Sequence, residues 1–165
     1  MAENDGQPAA TPAAGTQPNL AIIAQYVKDL SFENPGAPEA LRARQPQPNI
    51  NIQVGVRSNA IAENEYEVEL RMDARATNGQ AVLFALELVY AGLFRLSNIP
   101  AQNLGALVMV ECPRLLFPFA RQIISDASRN GGFPPLLVDP VDFASLYRQQ
   151  LQNAQAAQGQ AGAPN

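Results

Sequence analysis

The stretch Cys112–Leu137, CPRLLFPFARQIISDASRNGGFPPLL, constrains the fold of this chain more than any other. Pro113 suits the first position of a helix, where an N–H has no partner to lose. Pro118 cannot donate to the preceding turn, so the helix should bend or restart there, with its regular part running from about Leu116 to Arg129. Gly131-Gly132 ends it and Pro134-Pro135 prevents its resumption. At about 100° per residue, Leu115, Leu116, Phe117, Phe119, Ala120, Ile123, Ile124 and Ala127 fill an arc of roughly 200°. A helix lying on one sheet needs only about half of that arc. The helix is therefore either deeply buried or has two apolar faces, one for its own domain and one for another subunit. In a chain of 165 residues the second reading is preferred, and Phe117, Ala120, Ile124 and Ala127 are its candidate interface residues.

Three segments of period two supply something for this helix to cover. In Asn49–Ser58, Ile50, Ile52, Val54 and Val56 alternate with polar residues and glycine. In Glu65–Ala76, Tyr66, Val68, Leu70, Met72 and Ala74 alternate with charged residues. Asn78-Gly79 is a type I′ hairpin signal, leading into a third strand over Val82–Phe94. There Phe84, Leu86, Leu88 and Tyr90 form an inner row, with Leu83, Ala85, Glu87 and Val89 on the outer side. An earlier segment, Asn19–Glu33, alternates from Tyr26 onward. Tyr26, Leu30 and Phe32 have one parity, and Asp29, Ser31 and Glu33 the other. Strands of this kind form an antiparallel sheet with one covered and one wet face. The wet face would carry Asp29, Glu33, Glu65, Glu67, Glu69 and Glu87, partly offset by Arg57, Arg71 and Arg75. It is either plain solvated surface or a docking face for a basic partner.

The remaining elements are shorter. Ser97–Val110 should hold a short helix. Asp139-Pro140-Val141-Asp142 reads as a helix start with Asp139 as N-cap, followed by a stripe of Phe143, Leu146, Tyr147 and Leu151 that runs out near Asn153. The N-terminal segment 1–18 is rich in Ala, Pro, Gly, Gln and Thr and cannot offset its ordering entropy, so a disordered tail is expected there. Another is expected over 154–165, which leaves a single domain over 19–153.

Composition removes several functions. With no histidine and one cysteine, the usual catalytic triads and most zinc sites are excluded, and neither a catalytic residue nor a bound metal or other cofactor is expected. The 11 basic and 15 acidic side chains form no basic run, which argues against nucleic acid. No run of about 18 apolar residues suggests a membrane span. No signal peptide is recognisable, and a lone cysteine suits a reducing cytoplasm.

Four stretches, in this order, resemble the SecB family of bacterial export chaperones: YVKDLSFENPGAP (26–38), YEVELRM (66–72), CPRLLFPFAR (112–121) and GGFPPLLVDPVDFASLY (131–147). The resemblance spans roughly Leu20–Leu151. It implies an α+β fold, a four-stranded antiparallel sheet with helices on one face, in which the first strand crosses over to lie beside the fourth. It also implies a homotetramer, a dimer of dimers with the long helices at its centre. The implied function is that of a cytoplasmic holdase without enzymatic activity, which binds unfolded preproteins and passes them to the SecA motor ATPase. A SecB-like chaperone serving other clients, such as a toxin–antitoxin system, is the alternative. By resemblance, Asp29, Glu33 and Glu87 match the acidic positions that dock SecA, with Ala85 where the family often has leucine. Client would lie in an apolar groove, for which Leu41, Ile50, Phe143, Leu146 and Tyr147 are candidates; each could equally be ordinary core. Arg44 stands where the family commonly has tryptophan, so any aromatic floor there must come from another residue.

Overall fold

The computed structural model describes residues 17–42 and 47–160. Most of the expected N-terminal tail, and Arg44, lie outside them. Four strands, β1 (Asn19–Glu33), β2 (Asn49–Ala62), β3 (Glu65–Asn78) and β4 (Ala81–Ser97), form one antiparallel sheet in the order β1-β4-β3-β2. The consecutive strands are joined by two-residue loops, and β1 reaches the far edge through a crossover that contains the short helix α1 (Glu39–Arg42). The β3–β4 loop is Gly79-Gln80, closed by the Asn78–Ala81 pair. Only its first residue, Gly79, has positive φ, the type II′ pattern rather than the expected I′.

One face is dry. Val68, Leu70, Met72 and Ala74 of β3 and Phe84, Leu86, Leu88, Tyr90 and Phe94 of β4 point into it and are buried. It is covered by a helix longer than the sequence suggests. α2 (Ala101–Ala106), a π-helical turn (Leu107–Glu111) and α3 (Cys112–Asn130) run on without interruption. In the π turn the Cys112 N–H reaches back five residues to the Leu107 carbonyl, immediately before Pro113. Pro118 does not restart the helix either. It lies on the exposed side and forfeits one backbone bond, while Leu116, Phe117, Ala120 and Ile124 anchor the helix on both sides of it. Leu116, Phe117 and Ile124 each contribute about 1.5–3 kcal/mol on burial, enough to hold a helix against one missing hydrogen bond. Ala101–Asn130 also contains an 18-residue window long and apolar enough, by length and composition, to cross a membrane. Here its inward residues lie on β3 and β4, as those of a core helix do.

The last helix, α4 (Phe143–Gln160), starts three residues later than expected. Its cap is Asp142, not Asp139: the Asp142 carboxylate accepts the Ser145 N–H at 3.0 Å and the Ser145 hydroxyl at 2.8 Å. Those bonds hold its pKa below the usual carboxylate range. The helix runs past Asn153 into the 154–165 region where a disordered tail is expected, and residues 161–165 lie outside the described ones.

Four single-residue irregularities interrupt the ladders; one is Ile61 in β2, and the other three bear on the faces described here. Ile23 and Lys28 are unpaired extra residues in β1, and Leu83 is one in β4. The extra residue at Lys28 moves Tyr26 to the wet face, opposite Ala91, while Leu30 and Phe32 stay on the dry face opposite Leu88 and Leu86. Tyr26 therefore does not share a face with Leu30 and Phe32. Leu83, expected on the outer row, is buried instead.

Candidate functional site

The dry face opens into a groove where the crossover, the start of β4 and the chain after α3 meet. It encloses about 490 Å³ and is lined by Leu41, Ile50, Leu83, Phe84, Phe133 and Leu136, among others. Its floor is aromatic. Phe32 stacks on Phe84 with ring centroids 5.5 Å apart, and Phe84 meets Phe133 at 5.0 Å. Phe84 and Phe133 line the groove and give it an aromatic floor without tryptophan, and Phe32 supports Phe84. The bulge in β4 supplies Leu83 beside Phe84, two consecutive residues that a regular strand would point to opposite faces.

Two contacts fix the groove's far wall. Ser128 is fully buried at the end of α3, and its hydroxyl donates to the Ile124 carbonyl at 3.0 Å and accepts the Leu136 N–H at 2.8 Å. Asn34 Nδ2 donates to the Gly131 carbonyl at 3.1 Å, tying the crossover to the same helix end. Gly131 is where the Phe32 ring passes closest: a Cβ there would lie 2.2 Å from its Cζ. Gly132 has φ +89°, which favours glycine, and Leu41 packs on it.

The five groove candidates divide. Leu41 and Ile50 line the groove. Phe143 is core, buried with its ring edge-on to Phe117 at 6.0 Å. Leu146 is half-buried against the core. Tyr147 lines a separate cleft of about 650 Å³ between α4 and the π turn. The interface candidates on α3 need a larger correction. Ala120 and Ile124 are completely buried and Phe117 nearly so, because the sheet of the same subunit takes up that side of the helix; Ala127 is half-buried. The apolar residues that α3 leaves open are Leu115, 41 % exposed, and Phe119, 52 % exposed. Phe119 stacks on Tyr90 at 6.3 Å, and the dry side of the edge strand β1 adds exposed Ile22, Val27 and Leu30.

The wet face carries the acidic set. Ser31 pairs with Glu87, so Asp29 and Glu33 flank Glu87 diagonally, with Ala85 directly opposite Glu33. Asp29, Glu33 and Glu87 are exposed. Among the described residues, Asp29 and Glu33 make no ion pair. Glu87 accepts from Arg71 Nη2 at 3.0 Å, and Arg71 Nε also donates to Asp73 at 3.0 Å. Further along, Lys28 bridges Glu67 and Glu69, and Tyr26 donates to Glu67 at 2.5 Å. These contacts, the Tyr26 hydroxyl first, lower the Glu67 pKa. The carboxylates of β3 are thus largely neutralised within the chain, and the open negative charge lies at Asp29 and Glu33. Among the described residues no group of histidine, cysteine and carboxylate side chains could hold a metal ion.

A four-stranded antiparallel sheet in which the first strand crosses over to lie beside the fourth is the fold the sequence resemblance implies. Residues 13–154 match the family model described as preprotein translocase subunit SecB. The chain belongs to the SecB family. Among its relatives, a protein-export protein SecB from Rhodopseudomonas palustris strain TIE-1 is 59 % identical over 91 % of this chain and 95 % of its own. The one from Bradyrhizobium diazoefficiens is 53 % identical over 98 % of this chain and 99 % of its own. A solved structure of a SecB-like chaperone from Mycobacterium tuberculosis, in complex with an antitoxin peptide, superposes with a TM-score of 0.62. It covers 74 % of this chain and 90 % of its own at 16 % identity, and so shows a shared fold. The protein is thus a member of a protein-export chaperone family with an α+β fold.

Proposed function

We propose that this protein is an ATP-independent holdase of the bacterial cytoplasm. On this reading it binds unfolded preproteins, keeps them competent for translocation and delivers them to the SecA motor. The observation that carries the reading is the open groove lined by Phe84 and Phe133, with Phe32 stacked on Phe84, in a chain of the SecB family. An unfolded segment offers apolar side chains of many shapes. A groove of rings and branched aliphatic groups, flanked by a crossover, accepts them without reading a sequence. Binding only the unfolded client holds it back from folding by mass action. Asp29, Glu33 and Glu87, around Ala85, form the SecA-docking face, on the opposite side of the sheet from the groove. Client and motor therefore do not compete for one surface. The exposed Leu115 and Phe119 face of α3, with the dry side of β1, is where subunits meet in a homotetramer. Repeating the groove in four copies adds avidity to weak single contacts.

The test separates the two faces. Ile50→Glu should abolish the delay that the protein imposes on refolding of a slow-folding client while leaving SecA binding intact. Asp29→Asn/Glu33→Gln/Glu87→Gln should do the reverse. Loss of both activities in either variant, with far-UV circular dichroism unchanged, would refute the division.

A further inference from the structure

We infer that Arg71 is an internal competitor at the docking face, so that a basic partner engages Glu87 by exchange, with Arg71 passing from Glu87 to Asp73. The inference rests on the reading of Glu87 as a docking carboxylate and adds how that site is occupied beforehand. Asp73 and Glu87 stand directly opposite each other on β3 and β4. Two like charges in that position repel, and Arg71 relieves this by binding both. Its two bonds are not alike. The guanidinium holds Asp73 by Nε and Glu87 by Nη2, each at 3.0 Å. Glu87 is 55 % exposed, open to an incoming ammonium group, whereas Asp73 is 34 % exposed. The second Asp73 oxygen, Oδ1, is covered and accepts no hydrogen bond among the described residues.

That oxygen is a vacant acceptor next to a guanidinium already bound to its neighbour. When a partner's cation takes Glu87, the Nη group released from Glu87 can turn onto Oδ1 and complete a bidentate pair. The partner cation would enter a shallow polar pocket of about 240 Å³ formed by Asn51, Gln53, Asp73, Arg75, Ala85 and Glu87, among others. Docking then exchanges one exposed ion pair for another and adds a second hydrogen bond to the existing Arg71–Asp73 pair, instead of simply adding charge to charge.

The test is a set of titrations of the intact protein with a labelled oligolysine nonapeptide, read by fluorescence anisotropy at low salt, and with purified SecA. Arg71→Gln should bind about threefold more tightly, the scale of one exposed ion pair. Arg75→Gln removes the same charge from the same face without touching Glu87, and should change binding by clearly less. Asp73→Asn should weaken binding about threefold in the parent and have little effect in the Arg71→Gln background, because Asp73 acts through Arg71. Equal tightening by Arg71→Gln and Arg75→Gln, or an Asp73→Asn effect of the same factor in both backgrounds, would overturn the exchange and leave only a general field. If Glu87→Gln leaves both titrants unaffected, the docking reading itself fails, and the exchange with it.

Discussion

Gly131→Ala should destabilise this protein although each local rule favours it. Gly131 sits at the end of α3 with φ −74° and ψ −1°, a conformation open to any residue. Gly-to-Ala changes at such sites usually stabilise by about 0.4–1 kcal/mol, through the unfolded chain. Here the new methyl group would lie 2.2 Å from Phe32 Cζ and 2.4 Å from Cε1. Carbon atoms settle at about 3.5–4.0 Å, so the ring would have to withdraw by about 1.3 Å or more. It has little room, being stacked on Phe84, which is in turn packed on Phe133. Overpacking of this kind costs about 1–3 kcal/mol, and a clash this close belongs in the upper part, about 2–3 kcal/mol, which leaves a net loss of about 1–2.6 kcal/mol. In a domain of this size that lowers Tm by roughly 2–10 °C. The assay is urea unfolding followed by far-UV circular dichroism, at one fixed protein concentration because assembly makes the midpoint concentration-dependent. Phe32→Leu, which shortens the ring, should absorb part of the penalty in the double variant. A midpoint equal to or above the parent's for Gly131→Ala alone would show that the ring moves freely, and the rigid aromatic floor would have to be abandoned.

Three further outcomes are expected. Ser128→Ala leaves the buried Leu136 N–H without its 2.8 Å acceptor and should cost about 1–3 kcal/mol in the same urea assay; a loss below about 0.5 kcal/mol would show that the wall of the groove does not depend on it. Burial pushes the Cys112 thiol up to about 12. The unfolded thiol ionises from about pH 8.5 while the folded one keeps its proton, so its contribution is complete at lower pH and is lost between about pH 8.5 and 12. The parent should therefore lose more Tm than Cys112→Ala between pH 8 and pH 10.5, and parallel curves would contradict the burial argument. Phe119→Glu places a charge on the half-exposed side of α3 and should lower the native mass by light scattering, whereas an unchanged mass would move the interface elsewhere.

Much of this was legible in the residues because period two and period 3.6 are long-range averages. Nine positions of β3 and β4 vote together for the dry face; parity puts Asp29, Glu33 and Glu87 on the wet one, and the register Ser31↔Glu87 brings them together. What escaped are events of one residue. Nothing in the sequence around Lys28 or Leu83 marks an unpaired residue, yet the first moves Tyr26 across the sheet and the second brings Leu83 into the groove. Pro118 does not break the helix, because the breaking rule is local while the packing of Leu116, Phe117, Ala120 and Ile124 is not. The same side chains explain why the width of an apolar arc could not say which part faces outward. Burial assigns Ala120 and Ile124 to the core and leaves Leu115 and Phe119 outside. Asp139 and Asp142 are equally good caps for α4 on paper, and only the Ser145 contacts separate them.

The extra residue at Lys28 also gives β1 the character of a text with two reading frames. Downstream of it, Phe32 is pinned beneath Gly131, so that half of the strand cannot turn over. Upstream, the half from Ala24 to Val27 is held by the exposed Tyr26–Glu67 hydrogen bond and by the count of residues. Deleting Lys28 would therefore invert only the upstream frame, sending the Tyr26 hydroxyl away from Glu67 and bringing Val27 to the wet side. Asp29 and Glu33 would stay where they are. An insertion or deletion in this strand is thus a frameshift in three dimensions, and the single lysine marks where the frame changes.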